Sequence, residues 1–280
     1  MDEVEPPDEA STLVMLSRRR ETLCGDGHIV WHIWGMGPPV VLLHGASGSW
    51  THWLRNVRTL VDAGQTVLVP DLPGFGASAK PRAGEDADAI CGPLLHGIGD
   101  LLGKSSWDLV GFSFGSIVAG LLSAHAGQLV RRLVLIAAPI VPLPSKRGVA
   151  FTPWRHLATQ PERDEVHRLN LAAMMLHRSA SIDATALALQ SANAPRDRMR
   201  QRRMVTTDAL ARALALVSCP LWAIYGQEDA VYRDSWPEVS AAWQAYPNLR
   251  GLVMVPDAGH WVQYEEPHRV NALLLHALGD

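Results

Sequence analysis

The chain has 280 residues, of which 48% are hydrophobic and 19% charged, and its formal net charge is −3. This length is enough for one large domain or for a core with an inserted subdomain, and the composition is ordinary for a soluble globular protein. The small net charge excludes the strongly basic classes, so we expect neither nucleic acid nor a membrane surface as a partner.

The cysteines and the N-terminus indicate the compartment. Cys24, Cys91 and Cys219 are widely spaced and form no C-x-x-C pattern, so we predict neither a disulfide framework nor a metal site. The acidic N-terminus lacks the basic start and apolar stretch of a signal peptide, and no run approaches the ~18 apolar residues of a membrane span. These features predict a cytoplasmic protein with reduced thiols.

Along the chain, residues 1–11 are acidic and contain proline, which predicts a disordered tail. Roughly alternating apolar and polar residues then predict two strands at the edge of a sheet, 12–23 and 28–34. Strands and helices alternate over residues 35–140, which indicates a mostly parallel sheet with helices on both faces. The predicted strands are 39–43, 66–70, 107–112 and 130–137, and the predicted helices are 50–63, 86–103 and 114–125.

The alternating pattern stops after Pro139. Residues 140–212 contain no sustained strand-like run, and we interpret them as a cap of short helices inserted into the core. Strands are expected again at 220–225 and 251–255, with helices at about 235–246 and 264–278. The predicted organisation is a core of 12–139 and 213–280 with a helical cap between the two parts.

A sharp turn around Ser113 is the first candidate site. Gly111-Phe112-Ser113-Phe114-Gly115 has the form Gly-x-Ser-x-Gly and lies between a predicted strand and a predicted helix. This is the setting of a nucleophilic serine, because a strained turn exposes the hydroxyl and the helix start presents free N–H groups.

Two further residues complete a candidate catalytic triad. His260 follows the last predicted strand and a glycine, as a general base would, and Asp229 follows the preceding strand. Asp229 could accept the His260 N–H and orient its ring, which predicts the chain order Ser, Asp, His. Glu228 is the weaker alternative acid. The loop after the predicted strand 130–137 offers no carboxylate.

An oxyanion site is predicted where His44-Gly45-Ala46-Ser47-Gly48 follows the strand 39–43. The backbone N–H groups of Ala46 and Phe114 are the expected donors to the developing negative charge. His44 itself is expected to hold the loop backbone.

With these motifs in this order, the sequence resembles the α/β-hydrolase fold family over about residues 12–278. The resemblance implies an eight-stranded, mostly parallel sheet with a cap inserted after the sixth strand, and it implies a structural turn at Asp71. It implies no cofactor and no metal. We expect a small-molecule substrate and a monomer or homodimer.

Members of this family differ in their nucleophilic residue, which indicates the reaction that they catalyse. Ser113 argues against haloalkane dehalogenases and epoxide hydrolases, which use Asp at that position. A serine triad fits carboxylesterases, lactonases, cofactor-free haloperoxidases and hydrolases that cleave C–C bonds of aromatic ring-fission products. The stretch 259–265 is similar to the C–C hydrolases around their histidine.

Three functional hypotheses follow from these similarities. We favour a serine hydrolase of small apolar esters or lactones over a C–C hydrolase, and a third alternative is a ligand-binding member without turnover. Three arginines are candidates to meet a substrate carboxylate, namely Arg155, Arg196 and Arg198. The candidate lining residues of an apolar pocket are Phe112, Trp154, Met174, Met175, Val231 and Trp261.

Overall fold

The computed structural model describes residues 7–141, 151–199 and 201–279. The expected disorder of residues 1–6, the cap residues 142–150 and residue 200 lie outside this part of the chain. Within it, no helix combines the length and the apolar character needed to cross a bilayer.

Eight strands form one sheet in the order β1-β2-β4-β3-β5-β6-β7-β8. β2 pairs antiparallel with β1 and with β4, and all other pairs are parallel, which confirms the predicted mostly parallel sheet. The strands are β1 (Arg18–Cys24), β2 (Gly27–Trp34), β3 (Pro39–Leu43), β4 (Thr66–Pro70), β5 (Trp107–Phe112), β6 (Val130–Ile136), β7 (Leu221–Gly226) and β8 (Leu249–Val255).

Helices cover both faces of this sheet. Every residue of β5 and β7 is buried, and successive side chains of a strand point to opposite faces, so neither face is open to solvent at the centre. The α-helices are α1 (Asp8–Met15), α2 (Val57–Asp62), α3 (Ala87–Leu102), α4 (Phe114–Ala126), α5 (Gln160–Asn170), α6 (Ala184–Asn193), α7 (Ala209–Leu214), α8 (Trp236–Gln244), α9 (Val262–Glu265) and α10 (Pro267–Gly279).

The N-terminal prediction needs a correction. Residues 8–15 form helix α1, where we expected a disordered tail followed by a strand, and the strand β1 starts only at Arg18. Tertiary contacts explain the helix, because Ala10 is buried and the Leu13 carbonyl accepts the indole N–H of Trp34 at 2.9 Å. Asp8 in the first turn also interacts favourably with the helix dipole.

Two predicted helices are interrupted. The helix expected over 50–63 is a 3-10 turn at Trp50–Trp53 followed by α2, and between them the Asn56 amide donates to the carbonyl of Gln263 and to the Asn271 side chain. The helix expected over 264–278 is divided into α9 and α10, and α10 begins at Pro267 because proline suits a first helical position and not an interior one.

The segment between β6 and β7 is helical in the part that is described. It contains α5, α6 and α7, several 3-10 turns and a single π turn at Leu171–Met175. The exact limits of the cap stay a prediction, but this segment supplies one wall of the cavity over the sheet.

Candidate active site

The candidate site lies at the carboxyl ends of the parallel strands. Ser113 follows β5, Asp229 follows β7, His260 follows β8 and Ala46 follows β3. Because the strands are parallel, their carboxyl ends meet at one edge, and this brings four distant parts of the chain together.

Ser113 is held in a strained turn. Its φ is +53°, a region that non-glycine residues rarely adopt. The turn closes only because its neighbours are glycines: a Cβ on Gly111 would lie 2.5 Å from the Gly115 carbonyl oxygen, and one on Gly115 would lie 2.5 Å from the carbonyl oxygen of His44. The sequence Gly-x-Ser-x-Gly therefore sets the local geometry.

Ser113, His260 and Asp229 form one chain of hydrogen bonds. The Ser113 Oγ lies 2.8 Å from His260 Nε2, and His260 Nδ1 lies 2.7 Å from Asp229 Oδ2. A carboxylate oxygen can only accept, so Nδ1 carries the ring proton and Nε2 is free to accept the serine proton. Asp229 Oδ1 also accepts the backbone N–H of Val231 at 2.9 Å, which fixes the carboxylate. The arrangement can therefore activate a hydroxyl as a nucleophile.

Two buried histidines, His44 and His52, hold the backbone of the loop after β3. His44 Nε2 accepts the Leu72 N–H at 2.8 Å, so its Nδ1 is the protonated nitrogen and donates to the Gly45 carbonyl at 2.8 Å. His52 Nδ1 accepts the Gly45 N–H at 3.2 Å. Burial lowers the pKa of His44 to about 4, and burial together with the neighbouring His44 and His260 lowers the pKa of His52 well below its usual value. Both rings are therefore neutral near pH 7.

The N–H groups of Ala46 and Phe114 have no hydrogen-bond acceptor among the described residues. Both residues line the cavity beside Ser113 and His260. Phe114 is the first residue of α4, where a backbone N–H has no partner inside the helix. Two free N–H groups next to one hydroxyl can stabilise a developing negative charge by donating hydrogen bonds to it.

The cavity over Ser113 has a volume of about 680 Å³. Trp154, Met174, Met175 and Val231 line it, as expected. The expectation that Phe112 and Trp261 line it is wrong, because both are completely enclosed in the core: the Phe112 ring packs on His52 and His260, and Trp261 stacks on Tyr264 and donates to the His52 carbonyl.

The three arginine candidates are placed differently. Arg155 lines the cavity and lies over the Trp154 ring. Arg198 instead donates to three carbonyl groups of the turn after β4, and neither it nor Arg196 is part of the described cavity wall. Arg202 is a further cavity residue that the sequence interpretation did not include, and it pairs with Asp197 at 2.5 Å.

Two buried carboxylates near the site were also missed. Asp197 accepts the Ser47 hydroxyl at 2.7 Å, and Glu265 accepts the backbone N–H of Gly259 at 2.7 Å. Nothing local to Asp197 distinguishes it in the sequence. For Glu265 a signal exists, since it is a carboxylate within the apolar stretch that follows His260.

A family comparison agrees with this architecture. The profile described as "Alpha/beta hydrolase family" matches residues 40–273. The chain belongs to the alpha/beta hydrolase family. This match covers the strand before the Ala46 loop, the turn at Ser113 and the loops of Asp229 and His260.

Individual relatives are similar along most of their length. A 2-hydroxymuconate semialdehyde hydrolase of Pseudomonas sp. (strain CF600) is 28% identical over 260 residues, which is 87% of each chain. A pimeloyl-(acyl-carrier protein) methyl ester esterase of Vibrio atlanticus (strain LGP32) is 29% identical over 231 residues, 81% of this chain and 82% of that one. These relatives support hydrolase activity for this alpha/beta hydrolase.

Among solved structures, a meta-cleavage product hydrolase of Pseudomonas fluorescens IP01, in a mutant form complexed with acetates, superposes with a TM-score of 0.75. It is 21% identical, and the match covers 93% of this chain and 97% of that chain. At this identity the likeness concerns the fold.

Proposed function

We propose that this alpha/beta hydrolase is a serine hydrolase of small, largely apolar esters, either carboxylic esters or lactones. The observation that carries the proposal is the hydrogen-bonded chain from Asp229 through His260 to Ser113, which opens on a cavity with free N–H groups beside the hydroxyl. The proposed reaction runs through an acyl-enzyme on Ser113.

In the first half of the reaction, Ser113 Oγ attacks the ester carbonyl carbon while His260 Nε2 takes the hydroxyl proton. Asp229 orients the ring and stabilises the imidazolium that forms. The C–O bond to the alcohol then breaks, and His260 returns the proton to the departing oxygen. In the second half a water molecule attacks the acyl carbonyl carbon while His260 Nε2 accepts its proton. The bond from this carbon to Ser113 Oγ then breaks, His260 returns the proton to Oγ, and the acid leaves.

The negative charge on the carbonyl oxygen requires stabilisation in both tetrahedral intermediates. We assign this role to the N–H groups of Ala46 and Phe114. A donor of this kind contributes roughly 3–4 kcal/mol to the transition state in comparable sites. Because the two donors are backbone groups on a loop and on a helix start, their positions depend on the local fold and not on a rotamer.

Substrate selection is assigned to the apolar cavity wall. Trp154, Met174, Met175 and Val231 present aromatic and aliphatic groups to the space above Ser113. Such a wall favours an apolar acyl or alcohol group by burying its surface, at about 25 cal/mol per Å². A small ester with aliphatic or aromatic substituents therefore fits the site best.

Hydrolysis of p-nitrophenyl acetate and butyrate tests the proposal. We expect turnover by the wild type, and a loss of at least about a thousandfold in kcat for Ser113→Ala, whose folding is checked by circular dichroism. Activity that survives Ser113→Ala would contradict the triad. A folded wild type with neither a burst nor turnover on any ester would instead favour a ligand-binding role.

Hydrolysis of a C–C bond is the second candidate. It is supported by the similarity to 2-hydroxymuconate semialdehyde hydrolase, which extends over 87% of both chains. The test is to add a yellow dienoic ring-fission product and to follow its absorbance. Fading that depends on Ser113 supports this candidate, and brisk ester turnover without fading removes it.

A further inference from the structure

We infer that Asp197 is a positioning residue for the oxyanion site, acting through Ser47 on the N–H of Ala46. This inference rests on the proposed serine hydrolase function and goes beyond the triad and the two donors. It assigns a role in the chemistry to a carboxylate that lies between α6 and β7, 150 residues from the loop that it contacts.

Ser47 occupies an unfavourable backbone conformation. Its φ is +53°, like that of Ser113, although it is not a glycine. Its hydroxyl donates to Asp197 Oδ2 at 2.7 Å, a partly buried, charge-assisted hydrogen bond at the cavity wall. The bond holds the residue in this conformation, because rotation to a negative φ would move the hydroxyl away from the carboxylate.

Ala46 lies between two fixed neighbours. On one side the N–H of Gly45 is held by His52 Nδ1, and on the other the side chain of Ser47 is held by Asp197. The direction of the Ala46 N–H depends on the dihedral angles between these two points. The hydrogen bonds of both neighbours therefore aim this donor into the cavity.

Asp197 is itself rigidly placed. Its side chain is 8% exposed, it pairs with Arg202, and its Oδ1 accepts the N–H of Met199 at 3.1 Å. The next residue, Arg198, binds the turn after β4 through its backbone N–H and its guanidinium group. A carboxylate held in this way fixes the position of the Ser47 hydroxyl that donates to it. The segment between α6 and β7 therefore contributes to the oxyanion site.

Ser47→Ala is the test variant, because it removes the hydroxyl and leaves the Asp197–Arg202 pair intact. We expect kcat for p-nitrophenyl butyrate to fall about tenfold, with KM within about twofold, since the donor acts on the transition state more than on the bound ester. A trifluoromethyl ketone, which forms a tetrahedral adduct with the serine, should bind about tenfold more weakly. A residue with a purely structural role would not move this inhibition constant in step with kcat.

A double-mutant cycle and a matched control complete the experiment. If Asp197 acts through Ser47, the double variant Ser47→Ala/Asp197→Asn has the same kcat as the less active of the two single variants. Asp183→Ser is the control, because Asp183 is another carboxylate of the segment between β6 and β7 that contacts the core. The substitution removes its ion pair with Arg55 at 2.8 Å and the hydrogen bond that it accepts from the Tyr264 hydroxyl. A serine at this position can still cap the N-terminus of α6. The kcat of this control variant is expected to stay within twofold.

Four results would overturn the inference. They are an unchanged kcat in Ser47→Ala, an equal loss in Asp183→Ser, a lower kcat with unchanged inhibitor binding, and additive losses in the double variant. Failure of the proposed function is recognised separately, because wild-type turnover would then not depend on Ser113, and it would overturn both proposals. Ser113-dependent turnover with a neutral Ser47→Ala overturns only the role of Asp197.

Discussion

Replacing Glu265 with Gln is expected to weaken both the fold and the proposed catalysis. The Glu265 side chain is fully buried. Its Oε2 accepts the backbone N–H groups of His177 at 3.0 Å and Gly259 at 2.7 Å, and its Oε1 accepts that of Arg178 at 2.7 Å. One carboxylate thus joins the segment after the π turn to the residue that precedes His260.

The expected loss of stability follows from the number of acceptor oxygens in the side chain. Glutamine has the same shape, but one oxygen becomes an NH₂ group that can only donate. With either orientation of the amide, at least one of the three N–H groups faces another donor and loses its partner. A hydrogen bond to a charged group contributes about 1.5–3 kcal/mol, so the free energy of unfolding should fall by at least this amount.

Glu266→Gln is the matched control, because the neighbouring residue is partly exposed and interacts with Arg178 through its side chain. A pair of this kind contributes about 1 kcal/mol or less. Urea unfolding followed by tryptophan fluorescence gives both free energies, and ester hydrolysis gives kcat, which should fall only in Glu265→Gln because Gly259 orients the His260 loop. Equal losses of stability in the two variants would refute the reasoning.

Three further predictions concern packing, pH and substrate choice. Gly115→Ala is expected to destabilise the protein by about 1–3 kcal/mol, because its Cβ would lie 2.5 Å from the carbonyl oxygens of Leu43 and His44. Gly99→Ala is the contrasting variant in α3: its Cβ would meet no neighbouring group within 4 Å, so it should stabilise the helix by about 0.5–1 kcal/mol in thermal unfolding. Burial lowers the pKa of His44 from its usual 6.5 to about 4, so the unfolded chain binds a proton at a higher pH than the folded protein does. His44 therefore does not change the free energy of unfolding above about pH 6.5, and lowers it progressively between pH 6.5 and pH 4. In urea unfolding, the decrease in this free energy from pH 7.5 to pH 5 should be about 2 kcal/mol smaller in His44→Gln than in the wild type. Trp154→Ala should shift the preference from p-nitrophenyl acetate towards longer acyl chains, with kcat on acetate within about threefold of the wild type, and a collapse of acetate hydrolysis would contradict the assigned role of this wall.

The elements that could be predicted best are those whose burial is uniform. β3 and β4 have the predicted bounds because each is a continuous apolar run that is buried on both faces. The order Ser113, Asp229, His260 could also be predicted, since each residue lies in the turn or loop after the carboxyl end of a parallel strand. In these cases the local pattern and the tertiary environment require the same residues.

The wrong predictions concern residues whose structure depends on contacts with distant parts of the chain. α1 is helical because it packs on Trp34, and its alternating apolar residues alone favour a strand equally well. Phe112 and Trp261 flank two triad residues in sequence, yet their side chains point into the core. In a strand such as β5, neighbouring residues face opposite sides, so adjacency to Ser113 does not place a side chain in the cavity.

The two missed carboxylates connect the candidate catalytic residues with the wall of the cavity. The triad belongs to the strand ends of the core, whereas Trp154, Met174 and Met175 come from the segment between β6 and β7. Glu265 and Asp197 join these parts, one at the His260 loop and the other at the Ala46 loop. Residues that contact neither carboxylate can change the shape of the cavity without disturbing the triad. In the proposed mechanism, the bond that is cleaved therefore depends on how this wall presents a carbonyl to Ser113, and the triad alone does not decide it.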